Sequence, residues 1–181
     1  KAGFSICWYR PGFIISLLVR CKAGKKYNTV MDNSEIAAIF KRIAILSEIK
    51  GEDRFKVTAY ERAAESIQGL TADLSQMEEK ALMELPGIGK AIAGKIMEIF
   101  AKGKPDLLVR LEAEIPAGLI DLIAIPDVGP RKAARFWKEL GITSIEALEQ
   151  AAKEGKLRDL PGMGEKSEAR ILDGIRSLKA G

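Results

Sequence analysis

The chain has 181 residues and a formal net charge of +4, with 47% hydrophobic and 30% charged residues, which is enough apolar material for a buried core and too much for a disordered tail. It contains no histidine and only two cysteines, Cys7 and Cys21, so Ser-His-Asp and Cys-His nucleophile pairs, a histidine zinc site, an imidazole pH switch and a disulfide framework are excluded. Residues 1–30 hold six basic residues and no acid while the rest nets −2, so nucleic-acid binding by residues 31–181 has to rest on local geometry, not bulk charge.

Within residues 1–30 the apolar run 13–19 spans seven residues, against the ~20 needed to cross a bilayer. A positive segment followed by a short apolar run resembles a signal peptide, but Val19-Arg20-Cys21-Lys22 makes a poor cleavage site. Residues 1–30 are expected to be an extension outside the fold; the alternatives are a signal or membrane-surface anchor, or an extra packed element. From Met31 onward the pattern is helical. Asp32, Asn33 and Ser34 offer caps for a helix with Ile36, Ile39, Phe40, Ile43 and then Ile45 or Leu46 on its apolar face, ended by Gly51. A second helix is expected from about residue 55 to 68 with Gly69 as its C-cap, a short third ends near Glu84, and a fourth runs from about 90 to 102 and stops at Gly103. Pro105 and Pro116 break the segments that follow. A further helix from about 131 to 140 is closed by Gly141; Thr143 and Glu146 read as a capping box for the next, which stops at Gly155; the last runs from about 165 to 178. No segment alternates with period two, so the expected fold class is all-α, a small helical bundle.

One short pattern occurs three times: Leu85-Pro86-Gly87-Ile88-Gly89, Ile125-Pro126-Asp127-Val128-Gly129 and Leu160-Pro161-Gly162-Met163-Gly164. Seven residues after each final glycine stands an apolar residue, Ile96, Phe136 or Ile171. Internal repetition of this kind marks a repeated structural unit. Proline sets the turn, glycine allows backbone conformations closed to other residues, and the middle apolar residue is expected to point inward. The final glycine opens the next helix, whose first N–H groups have no intrahelical partner and form an anion site. A phosphate can approach a glycine there closely, which grips a sugar–phosphate backbone without reading bases. The first copy is followed by Lys90, and the second by Arg131, Lys132 and Arg135. The third has Lys166, but also Glu165 next to Gly164 and Glu168 where the other copies have Ala93 and Ala133. Acids there are expected to repel phosphate.

These repeats resemble helix-hairpin-helix DNA-binding motifs. With Asn33-Ser-Glu-Ile-Ala-Ala-Ile-Phe40, the stretch from Glu48 to Tyr60, Arg62-Ala-Ala64, and Leu140-Gly-Ile-Thr-Ser-Ile-Glu-Ala-Leu148, they resemble the N-terminal region of family X DNA polymerases, especially the bacterial and archaeal branch. The resemblance implies two units: a lyase-type helical domain over residues 31–104 that holds the 5′-phosphate side of a gap, and a second helical subdomain over residues 105–181, with two further hairpins, that holds duplex. It therefore implies sequence-independent DNA binding at gaps or nicks in repair, in the cytoplasm and as a monomer, without membrane or small-molecule partners. The family's palm needs paired aspartates for two metal ions. The chain has no Asp-x-Asp and no Gly-Ser pair, so no polymerase activity is expected of it, and no cofactor is called for beyond a monovalent cation that a hairpin backbone can hold.

The resemblance also carries residue roles. The family's Schiff-base lysine falls on Lys95, and its contacts to the 5′-phosphate and sugar fall on Lys56 and Tyr60. Lys95 borders the stripe Ile92, Ile96 and Ile99, and a partly desolvated lysine beside other cations is the kind of amine such chemistry uses. The family pattern is lost at Phe55, where the animal enzymes have histidine, and at Ala91 and Leu107, where lysines are found. Lyase activity through Lys95 and a helix-hairpin-helix or scaffold protein of another system stand as alternatives to binding alone. The DNA-binding candidates are Gly87, Gly89, Lys90, Lys56, Tyr60, Gly129, Arg131, Lys132, Arg135, Gly162, Gly164 and Lys166.

Overall fold

Each sequence-expected helix forms in the computed structural model, which describes residues 31–180; the expectations for residues 1–30 lie outside the described residues. Helix α1 (Asn33–Lys50) starts at Asp32, whose carboxylate accepts the Glu35 N–H while Glu35 accepts the Asp32 N–H, a reciprocal capping box. It buries Ile36, Phe40, Ile43, Leu46 and Ile49, so Leu46 and not Ile45 continues the apolar face, and it ends at Gly51 with φ of 89°. Helix α2 (Arg54–Gln68) is capped by Asp53 and lies along α1. After a 3₁₀ turn at Leu74–Gln76 come α3 (Glu79–Met83) and α4 (Lys90–Lys102).

The two prolines bracket helices that periodicity does not delimit. Pro105 is the N-cap residue of α5 (Asp106–Glu114), and Pro116 lies between α5 and α6 (Gly118–Ile123). Then follow α7 (Pro130–Leu140), α8 (Ile145–Lys153) and α9 (Glu165–Ala180). The cap of α8 corrects the sequence reading. Ser144, in extended backbone, accepts the Ala147 N–H at 3.2 Å, so the cap lies one residue later than Thr143. Thr143 lies just outside the cap, with its backbone packed against α6. A Cβ on Gly118 would stand 2.2 Å from the Thr143 carbonyl oxygen, so α6 begins hard against the Thr143 backbone.

Helix α1 is the spine. It packs on α2, α5 and α7, and the buried side chains of both halves form one continuous core. Arg42 pairs with Glu112 and Lys50 with Glu114 on α5, at 2.7 and 2.6 Å. Glu48 pairs with Arg131 on α7 at 2.9 Å. Such partly exposed pairs add little stability each, but they tie α5 and α7 to the middle and C-terminal part of α1.

Candidate nucleic-acid interface

All three repeats fold as hairpin turns that lead into a long helix. Ile88, Val128 and Met163 are buried, as are Ile96, Phe136 and Ile171. The turns close with N–H groups of Ile88, Val128 and Met163 donating to the carbonyls of Leu85, Ile125 and Leu160 at 3.0–3.1 Å. The left-handed position is the third of each motif: Gly87 at φ 78°, Asp127 at 68° and Gly162 at 75°. Aspartate is one of the few L-residues that tolerates this conformation.

The final glycines differ from the third-position residues in backbone conformation. Gly89 and Gly129 have φ of −86° and −93°, which any residue adopts, and Gly164 is likewise outside the left-handed region. A Cβ at any of the three would meet nothing within 4 Å. The chain's own conformation and packing therefore do not require glycine at these exposed helix starts. Glycine repeated three times at such positions fits something outside the chain that comes close to the backbone.

The cations around the hairpins divide into two groups. Lys90 and Lys166 are exposed, Lys132 is half-buried, and none of them has an ion-pair partner among the described residues. Arg131 is turned to Glu48. Arg135 pairs with Glu139 at 2.9 Å and donates to the Pro161 carbonyl in the third turn at 2.7 Å. Arg170 returns the contact, reaching Asp127 in the second turn at 2.8 Å. Both arginines stand six residues after their own final glycine, so hairpins two and three brace each other reciprocally.

The expected repulsion by Glu168 is corrected by its direction. The residue is 2% exposed and its side chain faces inward, accepting the Arg158 backbone N–H at 3.2 Å and the guanidinium at 2.5–3.0 Å. Its carboxylate is paired with Arg158 and does not project from the exposed helix start. Glu165 remains exposed there. The third hairpin also lacks a directly preceding helix, because residues 154–159 are turns.

In the first half, Lys56 and Tyr60 from α2 line a cleft of about 250 Å³ with Lys50 and Leu107. Lys56 pairs with Glu52 at 3.0 Å, which holds its ammonium above the usual lysine range. Burial pushes the Tyr60 phenol up. Lys95 is half-buried beside this cleft, with Nζ 5.7 Å from the centroid of the Tyr60 ring and 3.4 Å from the Ala91 carbonyl. The fold thus brings Lys56, Tyr60 and Lys95 together, while hairpins two and three lie in the second half. The cleft includes a cation that sequence reasoning passed over, Arg110 of α5. The available signal was its position three residues after Leu107, on the same helix face. Phe55 is 87% exposed at the start of α2. Among the described residues no three His, Cys, Asp or Glu side chains gather as a metal site.

Comparison with known proteins finds helix-hairpin-helix families in this chain. Residues 31–105 match the helix-hairpin-helix domain family, and residues 119–177 match the SAM-like helix-hairpin-helix tandem family. Over 145 residues the chain is 37% identical to the DNA polymerase/3′-5′ exonuclease PolX of Bacillus subtilis (strain 168), covering 80% of this chain and 25% of that protein. It is 31% identical over 117 residues to DNA polymerase lambda of Arabidopsis thaliana, covering 64% of this chain and 21% of that protein. The chain therefore spans about a quarter or less of the length of these curated relatives.

Proposed function

We propose that this chain, which belongs to the family X DNA polymerases and has the helix-hairpin-helix architecture of their N-terminal region, binds DNA at gaps or nicks without reading base sequence. The observation that carries the reading is the set of exposed final glycines, Gly89, Gly129 and Gly164, which neither backbone conformation nor packing requires. Backbone N–H groups at these helix starts would receive phosphates of the sugar–phosphate backbone. Lys90, Lys132 and Lys166 stand next to or near them with no ion-pair partner among the described residues. We assign recognition of the gap end to residues 31–104 and grip on duplex to residues 105–181, acting as a cytoplasmic monomer. No helix among the described residues is long and apolar enough to cross a membrane, and the reading needs no membrane partner.

The test is anisotropy titration of labelled gapped, nicked and single-stranded DNA. Affinity should be higher for the gap or nick, indifferent to sequence, and fall with salt at a log–log slope of roughly −0.9 per phosphate neutralised. Gly129→Val should weaken binding by about tenfold, the scale of one charge-assisted contact, and leave the melting temperature nearly unchanged. Binding that ignores salt, or a Gly129→Val protein that binds normally, would refute the reading.

A second reading is lyase chemistry at Lys95, favoured by its place on the Tyr60 ring beside the cleft. The neutral Nζ would add to the C1′ aldehyde of a ring-opened abasic sugar and lose water, giving an imine. Borohydride should trap that imine on DNA carrying an abasic site, with a yield that rises with pH. Lys95→Ala should abolish the adduct and keep gap binding. An adduct that survives in Lys95→Ala and vanishes in Lys90→Ala would move the nucleophile to Lys90.

A further inference from the structure

Among the described residues three glycines stand inside helices: Gly94 in α4, Gly118 in α6 and Gly174 in α9. Glycine is the poorest helix former after proline, because it has the most backbone freedom to lose, so each position asks for a reason. Packing supplies one for two of them. A Cβ on Gly118 would collide with the Thr143 carbonyl oxygen, and one on Gly174 would meet the Pro126 ring at 2.9 Å. Gly94 has no such neighbour. A Cβ there would enter open space, with nothing within 4 Å. Helix α4 buries Ile92, Ala93, Ile96, Ile99 and Phe100, and at about 100° per residue Gly94 falls on the opposite, solvent side. The middle of α4 therefore contains a helix-weakening residue that the fold itself does not use.

We infer that Gly94 is a DNA-contact residue: it keeps α4 bare, so that a strand gripped at the first hairpin continues along the helix with its sugar–phosphate backbone against the α4 backbone. The inference rests on the DNA-binding reading above. On a helix surface the neighbours of Gly94 are the residues three and four positions away. Lys90, one turn earlier, is exposed and has no ion-pair partner among the described residues. Glu98, one turn later, is turned to α5, where its carboxylate accepts the Asp106 N–H at 3.0 Å. An uncommitted cation thus precedes the bare backbone, and the acid that follows is engaged elsewhere. Gly94 lies about 7.5 Å along the axis from Gly89, roughly two nucleotide steps of a duplex strand. Charged neighbours on both sides favour DNA over a protein helix, which would need apolar surface around the glycine to bury. The second and third hairpins have Ala134 and Ala169 at the corresponding place. These are small too, but they carry the Cβ that α4 lacks, so the closest approach falls to the first hairpin.

The experiment measures melting and affinity for a gapped duplex on the full chain carrying Gly94→Ala, Gly94→Gln or Gly94→Leu. All three replacements are better helix formers with open space for their Cβ, so each should melt above wild type, by about 3 °C for alanine. Affinity should move the opposite way and follow side-chain size: about twofold weaker for alanine and about tenfold weaker for glutamine and leucine. Val109→Gln, on an exposed face of α5, should bind as wild type does. A Gly94→Gln protein that melts higher and binds the gap as tightly as wild type overturns the inference and leaves the DNA reading standing. Variants that melt below wild type would show that the fold itself needs glycine there, and overturn it too. A wild-type dimer in sedimentation that Gly94→Gln dissociates, with DNA affinity unchanged, would give the bare face to a second copy and overturn the assignment. A wild-type chain that binds no DNA overturns the DNA reading and this contact with it.

Discussion

The first hairpin and the later two share a motif but are supported differently. In the first, Gly87 sits against Arg62 and Ser66 of α2, so a neighbouring helix holds the turn. Its following cation, Lys90, stays exposed and uncommitted. In the second and third, the turns hold each other through Arg135 to Pro161 and Arg170 to Asp127. Gly174 of α9 completes the contact, since a Cβ there would come within 2.9 Å of the Pro126 ring. A positive side chain near a hairpin is therefore not by itself a DNA contact. In the second half part of the basic charge is spent on internal support, and under the proposed function the phosphate grip there would fall to backbone N–H groups and Lys132 or Lys166.

The largest effect on that comparison should come from Gly118→Ala. The added Cβ would collide with the Thr143 backbone and cost about 3 kcal/mol, at the upper end of overpacking. Thermal melts should show it, and hydrogen exchange should open α7 and α9 before α4. If α4 opens first, the two halves do not differ in support as described.

Glu168→Ala comes next. It leaves the Arg158 backbone N–H and guanidinium without their buried acceptor. With Arg158 nearly half exposed, solvent recovers part of the loss, and about 2 kcal/mol is expected. Glu168→Gln keeps an acceptor and should cost less. A neutral Glu168→Ala would show that the pair does not hold the third turn.

A smaller contrast separates support from contact. Lys90→Ala should weaken DNA binding by roughly 1 kcal/mol and shallow the salt slope by about one phosphate, with no change in melting. Arg135→Ala should lower stability by about 1 kcal/mol, because it removes a hydrogen bond that spans the two turns. The reverse pattern would exchange the roles of the two cations.

The smallest effect concerns pH. Hydrogen bonds from Lys153 and Lys179 lower the Glu149 carboxyl from 4.5 to about 2. Its folded value lies below its unfolded one, so its contribution is complete above about pH 4.5 and is lost as pH falls toward 2. Glu149→Gln should flatten the melting temperature over that window. An unchanged profile would mean that these surface pairs of α8 and α9 add nothing.

Much of this molecule is legible in its residues. Capping residues, terminal glycines and 3.6-residue periodicity are local signals, and they place α1, α2, α4, α7 and α9 to within about two residues. The repeated turns are also local, because proline and a left-handed third residue define them within five positions. What depends on contacts distant in sequence could not be read this way. The fit of Gly118 against the Thr143 backbone, 25 residues away, gives no local signal. Spacing alone would set Glu168 against phosphate, yet it turns inward because Arg158 is there to receive it. Arg131 and Arg135 look alike in sequence to Lys90 and Lys132, but only the packed helices supply Glu48 and Pro161 as their partners. Arg110 joins Lys56 and Tyr60 in one cleft because α5 lies across the end of α1. Most of the helices, the repeated turns and the family they resemble could be read from neighbours along the chain, whereas the bounds of α5 and α6 and the cap of α8 could not. Which charges are satisfied within the protein and which stay uncommitted emerges from the packed helices, because an ion pair depends on distance in space and not on position in the chain.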